Sequence, residues 1–271
     1  AQGPEREFLL MGLHHGARLL AAQDRTEEAR ALLTRCLRLK PDQPEAASLL
    51  LKLAPAGAET HAHIYQICYS DATLRDRDPG FLCLDCRDNP RPDWREYWHI
   101  RRFLLGETLR EGDYYGFFSP KFKSKTGLDA STVYNFIASR GGKADVILFS
   151  PFFDQGAFAL NLFEQGQAQH ADIMRAFTGS AALIAPGLDL ETLVMDSRHV
   201  VFCNYFVAKP AFWREWLRCC EAIFATAEAG GTDFAASLNA GTNHDGGIAP
   251  NKVFVIERIA SLILSTQARW A

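Results

Sequence analysis

Apolar residues recur at helical spacing near the N-terminus, as Leu13, Ala17 and Leu20 and again as Ala29, Leu33 and Cys36, which predicts two helices. Asp24-Arg25-Thr26 breaks them, with Thr26, Glu27 and Glu28 as a helix start. Lys40-Pro41-Asp42 ends the second helix, and Pro44-Glu45-Ala46 begins a third. The short run Ala54-Pro55-Ala56-Gly57-Ala58 is rich in breakers and divides a helical segment (1–56) from a larger domain (60–271). Past it the pattern changes to short apolar runs between helical stretches. Strands are expected at His63–Tyr69, Tyr114–Phe118 and Asp145–Phe149, with one unbroken strand over Val200–Ala208. Helices are expected over about 94–109, over 131–139 and after Pro210, where Trp213, Trp216, Leu217, Cys220, Ile223, Phe224 and Ala227 form one stripe. A glycine-rich loop (Gly230 to Gly247) and a last helix over about 251–267 complete the chain. Strands alternating with helices mean an α/β protein, a three-layer sandwich.

Composition narrows the function classes. The chain has 271 residues, 48% of them apolar and 23% charged, enough for a full core. Its formal net charge of −3 argues against a general nucleic-acid binder, which needs a basic surface. No apolar run reaches the ~18 residues that span a bilayer, so a cytoplasmic protein is expected, at most peripheral to an inner membrane. The opening Ala1-Gln2-Gly3-Pro4 has no apolar signal core and reads as the cut end of a longer chain. Seven cysteines in apolar or helical contexts fit reduced, buried thiols better than a disulfide framework. Cys83-Leu84-Asp85-Cys86 is formally CxxC, but it lacks a knuckle glycine and follows Phe81-Leu82 as a strand would. Buried strand cysteines are the expectation. Zinc would need His61/His63 or Cys219/Cys220 to complete four ligands.

Three stretches carry candidate chemistry. In YYGFFSPKFKSK, a strand delivers Ser119, Lys121, Lys123 and Lys125 at its C-terminal end, where open α/β sheets gather ligands. Lysines there suit a pyrophosphate as point charges; the plainer alternative is a solvated turn. After the strand at Asp145, the segment NLFEQGQAQH supplies Asn161, Glu164, Gln165 and His170, a set apt for gripping sugar hydroxyls. Glu164 or Asp145, if desolvated, would act as general base. The third stretch joins His244 and Asp245 in the glycine-rich loop to Lys252 and the pair Glu257-Arg258. A mobile loop before a helix can close over a charged donor; the alternatives are a disordered surface loop and, for Glu257 and Arg258, a structural ion pair. No P-loop, GxSxG or HExxH is present in the sequence.

Residues 10–43 resemble a tetratricopeptide repeat, with Ala17, Ala29 and Pro41 at its small-residue and closing-proline positions. One repeat cannot bury its own apolar face, so the resemblance implies a protein partner or further repeats; an ordinary hairpin capping the main domain is the alternative. The larger domain is similar to bacterial GT-A-like glycosyltransferases of polysaccharide and surface-glycan loci. The similarity runs through Trp94-Arg95-Glu96-Tyr97, YYGFFSPKF, DVILFSPF, CNYFVAKPAFWREWL and VFVIERIASLIL. It implies transfer of a sugar from a nucleotide-diphosphate donor to a glycan or protein hydroxyl. Ser119, Lys121, Lys125, His244, Lys252 and Arg258 would hold the donor, Asn161, Gln165, His170 and Asn204 the acceptor, and Glu164, Asp145 or Asp245 would do acid–base work. The alternative is a catalytically inactive scaffold. Most such enzymes hold a divalent metal with Asp-x-Asp. The literal match here, Asp76-Arg77-Asp78, lies close to the first strand, and Ser119-Pro120-Lys121 stands where the motif belongs. Two options follow: Lys121 and Arg258 replace the cation, or a single aspartate such as Asp145 binds it.

Overall fold

The computed structural model describes residues 4–40, 43, 45–46, 49–50, 53, 61–140, 144–170, 172–244 and 247–270. Pro41, the 54–58 boundary and Asp245 lie outside them. Helices α1 (Pro4–Ala22) and α2 (Thr26–Leu39) form a hairpin turned at Asp24, whose φ is 59°. Ala17 and Ala29 are wholly buried, and Leu32 reaches to within 3.2 Å of where a Cβ on Gly16 would lie. Small side chains thus let the two helices close on a core built from Leu10, Leu13, Leu33, Cys36 and Leu37, which Ala46 and Leu50 join.

The larger unit is an α/β arrangement around a five-stranded mixed sheet ordered β2-β1-β3-β5-β4. Its strands are β1 (Ala62–Cys68), β2 (Leu82–Asp85), β3 (Tyr114–Phe118), β4 (Val146–Leu148) and β5 (Phe206–Ala208). β1 pairs in parallel with β2 and β3, whereas β5 runs antiparallel to both β3 and β4. Side chains alternate across the sheet, as a pleat requires. Ile64, Tyr114, Phe118, Ile147 and Val207 share one core with α5 (Phe122–Thr126) and α6 (Ala130–Arg140). Ile67, Tyr115, Phe117, Phe206 and Ala208 share the other, covered by α4 (Arg95–Gly106) and α10 (Pro210–Ala229). Short helices α3 (Asp71–Arg75), α7 (Phe153–Ala157), α8 (Leu162–Gln169) and α9 (Met174–Ile184) fill the connections.

Helix α10 follows its stripe closely. Pro210 occupies the first turn and Lys209 before it is extended, which leaves no amide orphaned there. Trp213 and Trp216 are wholly buried, each contributing roughly 2–3 kcal/mol of apolar transfer. Trp213 Nε1 also donates to the Tyr115 carbonyl at 2.9 Å, tying α10 to β3.

Three expected elements differ. The strand expected over Val200–Ala208 shrinks to Phe206–Ala208, because Cys203 and Asn204 take left-handed backbone at φ 59° and 53°. The amides of Val201 and Phe202 are satisfied by the Ser261 and Ser150 hydroxyls rather than by a strand. The glycine-rich loop instead contains α11 (Asp233–Asn239) and a hairpin of β6 (Gly241–His244) and β7 (Gly247–Pro250). The last helix is two, α12 (Asn251–Ile256) and α13 (Ile259–Thr266). Between them the Arg258 amide bonds three residues back, to the Val255 carbonyl, a tightened turn. Among the described residues no helix is long and apolar enough to cross a membrane.

Candidate functional site

A cavity of about 480 Å³ opens where β1, β2 and β3 end, the crevice in which an open α/β sheet gathers ligands and a size suited to a small molecule. Ile67 and Tyr69 line it from the end of β1, Cys86 from just beyond β2, and Ser119, Pro120 and Lys121 from the end of β3. Pro120 stops the strand, Lys121 precedes α5, and Gly127 at φ 73° closes that short helix, leaving Lys125 directed along the cavity wall. The Ser119 hydroxyl is buried and hydrogen-bonds the Tyr205 hydroxyl.

The start of α4 also lines the cavity, with Arg95, Glu96 and His99. Arg95 is held at φ 45° and ψ −126°, a conformation costing a non-glycine residue of order 1–3 kcal/mol. The preceding turn fixes it. Trp94 is 1% exposed and its Nε1 donates to Glu228 at 3.0 Å. Arg91 bonds both Asp93 and Glu228, and the buried Lys252 ammonium sits 2.7 Å from Asp93 and 4.4 Å over the Trp94 ring. The third side comes from His244 on β6 and Glu257 at the break between α12 and α13.

Charge in this cavity is mixed. Glu96 is half-buried; loss of hydration, then the nearby Glu257 charge, push its carboxyl up to about 7 against the pull of Lys125 and Arg95. Desolvation works against the Lys125 ammonium, but Cys203, Glu257 and Glu96 together outweigh it and raise its pKa. Its Nζ lies 3.1 Å from Cys203 Sγ. Burial first, then Glu257, pushes the Cys203 thiol up to about 11, and burial with Glu96 pushes Cys86 to about 12. Both stay protonated thiols at neutral pH. His99 is 6% exposed and its Nε2 has no partner among the described residues; burial, then Arg102, lowers its pKa, so it is a neutral imidazole.

Of the residues singled out by sequence, the structure brings Ser119, Lys121, Lys125 and His244 to the cavity and gives most others structural work. Asp145 pairs with Lys209 at 2.9 Å, beside the N-terminal end of β4 and away from the strand ends that form the cavity. Exposed Glu164 accepts from the Leu160 amide, and Asn161 caps α8 while its Nδ2 donates to the Leu190 and Leu193 carbonyls. Gln165 bonds Gln155 and Arg258. Lys252 belongs to the Asp93–Trp94 cluster, with Asn239 2.9 Å away. Arg258 does not pair with Glu257; its guanidinium donates to the Leu162 and Phe254 carbonyls and lies over Phe177. Asn204 is buried in the turn before β5. His170 lies behind His244, its ring 3.9 Å from that of Phe254; burial, then Arg258 and His244, lowers its pKa. In the Asp76-Arg77-Asp78 run, Asp78 accepts from the Gly80 and Ala130 amides.

Sequence reasoning passed over Glu96, His99 and the cavity-facing role of Glu257. Glu96 and His99 do carry a signal, since they stand three apart on a helix and so share a face. Cys83 lies within β2, and no cysteine is in a disulfide. Among the described residues no three His, Cys, Asp or Glu side chains come together as a metal site. No protein-family model, curated protein or solved structure matches the chain.

Proposed function

We propose that this cavity binds the diphosphate of a nucleotide sugar and that the protein is a GT-A-like glycosyltransferase acting on a glycan or protein hydroxyl. The observation carrying this reading is the delivery of Ser119, Lys121 and Lys125 by a single strand end into one cavity. Bond breaking between the sugar and its diphosphate leaves charge on the phosphate oxygens, and preorganised cations are what stabilise it. We assign that charge to Lys121 and Lys125, the lysines that line the cavity beyond β3. Arg258 is left out of the assignment because its donors are spent on carbonyls.

Thermal-shift measurements with UDP, GDP and TDP, each with and without manganese, test the reading. A nucleotide at a hundred times its Kd stabilises by about 2.7 kcal/mol, so a shift of several degrees is expected from at least one. Flat melting curves with every nucleotide at millimolar concentration would refute it. Lys125→Ala is expected to weaken that nucleotide about tenfold, close to 1.4 kcal/mol, as titration calorimetry would show.

A second reading, an inactive scaffold that binds a protein through its N-terminal helices, draws on the exposed Phe8 and Met11 of α1, 73% and 67% accessible. It predicts partner binding by the hairpin and no response to nucleotides.

A further inference from the structure

Glu96 and Glu257 reach the cavity from different elements, the first turn of α4 and the break after α12. No described residue donates a hydrogen bond to either carboxylate, whereas the other acids of this region that are not fully exposed, among them Asp93, Asp113, Glu111 and Glu221, have partners. Half-buried acids left unbonded forgo the stabilisation that a structural role normally provides. Beside them His99 presents a buried, unpartnered Nε2. The titratable and charged side chains around Glu96 are Arg95 and His99 on its own helix, Lys125 on α5, Cys86 beyond β2, Cys203 and Tyr205 in the turn before β5, and Glu257. Only Lys125 and Arg95 draw it toward the ionised form, and neither bonds it.

The cavity wall therefore carries two kinds of group. Ser119, Lys121 and Lys125 suit a departing anion, while the α4 side offers a carboxylate with open lone pairs. Resting on the diphosphate reading, we infer that Glu96 is the general base for the attacking hydroxyl, with the nearby Glu257 as the positioning residue. The hydroxyl gives its proton to a Glu96 carboxylate oxygen as its own oxygen bonds to the anomeric carbon. The bond from that carbon to the diphosphate breaks, and its electron pair leaves with the phosphate oxygen toward Lys121 and Lys125. A base near the working pH balances correct protonation against driving force, and a second carboxylate nearby is a way to reach that range.

The test uses the intact chain, with UDP-glucose, UDP-N-acetylglucosamine and GDP-mannose as donors and water as the acceptor. For the donor that binds, Glu96→Gln is expected to cut hydrolysis about a hundredfold while UDP or GDP binds as tightly as before or more so. The rise of wild-type kcat/KM with pH should centre near 7, where Glu96 ionises, and move to lower pH in Glu257→Gln. A purely structural role for Glu257 would leave that limb in place. Glu164→Gln, outside the cavity, should behave as wild type. If the nucleotide binds and Glu96→Gln hydrolyses at the wild-type rate, or no bound donor is hydrolysed at all, the base assignment is overturned. If no nucleotide binds the wild type, the diphosphate reading falls first and takes this assignment with it.

Discussion

Glu96→Gln should melt higher than the wild type at pH 8, with the advantage shrinking steadily as pH is lowered to about 4.5. The sign follows from linkage. Glu96 titrates near 7 when folded against an ordinary 4.5, so between those values the folded chain binds the extra proton. Its stabilising contribution is fully present below about 4.5 and is lost as pH rises through 7. Above that, ionising a poorly hydrated carboxylate beside Glu257 costs on the order of 3 kcal/mol, taking 1.36 kcal/mol per pKa unit. Glutamine fills the same space without the charge. The gain corresponds to roughly 5–10 °C in Tm for a unit of this size. Acids with strong partners pull the other way: the Arg91 bond, ahead of Lys252, holds Asp93 down at about 2, and that stability is lost in acid. The informative quantity is thus the difference between the two proteins across pH, measured by scanning calorimetry. Parallel curves from pH 5 to 8 would show that Glu96 carries no unusual proton. The same charge bears on binding, because an anionic diphosphate meets a carboxylate above pH 7 and a neutral acid below it. UDP affinity should fall further through that range in the wild type than in the variant.

Periodic segments were the legible part of this fold. The α10 stripe, the alanine contacts of the N-terminal hairpin and the aromatic strand β3 each repeat one local rule, and tertiary packing agrees with it. The lysines beyond β3 were legible for a topological reason, since a strand in an α/β protein ends at a crevice. Elsewhere one signal had two uses. Asn161-Leu162-Phe163-Glu164 reads as polar groups for sugar hydroxyls, yet an Asn followed three residues later by Glu is also the signature of a helix start, and there the structure uses it. In VFVIERIASLIL the sequence presents the polar pair as one unit. The tightened turn sends Glu257 to the cavity and Arg258 to the carbonyls of α8 and α12, which no periodicity announces. Positive φ at Cys203 was equally hidden, because cysteine is neither the glycine nor the asparagine that advertises such a bend.

Arg258 supports the last expectation, a strong coupling between two positions outside the cavity. Its guanidinium is 7% exposed and bonded at all three nitrogens: Nε to Leu162 O, Nη1 to Phe254 O and Nη2 to Gln165 Oε1. Desolvation, its largest influence, lowers its pKa, so the charge is retained at a cost. Arg258→Ala empties the site and removes its hydrogen bonds to two carbonyls, for a loss of about 3 kcal/mol. Gly166 packs against the same group. A Cβ there would lie 2.6 Å from Nη2 and 2.8 Å from both Cζ and Nε. Alanine in a helix interior normally gains up to about 1 kcal/mol over glycine, but a guanidinium pinned by three bonds cannot retreat, and overpacking of this kind costs about 2 kcal/mol. The clash wins, and Gly166→Ala should destabilise. With Arg258 already replaced by alanine, the space is open and the helix preference should reassert itself, a non-additivity of roughly 2 kcal/mol in a double-mutant cycle. Urea unfolding of the four proteins measures it. Equal costs for Gly166→Ala in both backgrounds would rule the contact out. Folded Arg258→Ala should still bind UDP, because this cation clamps α8 to α12 behind the cavity wall while the diphosphate is met by the lysines beyond β3.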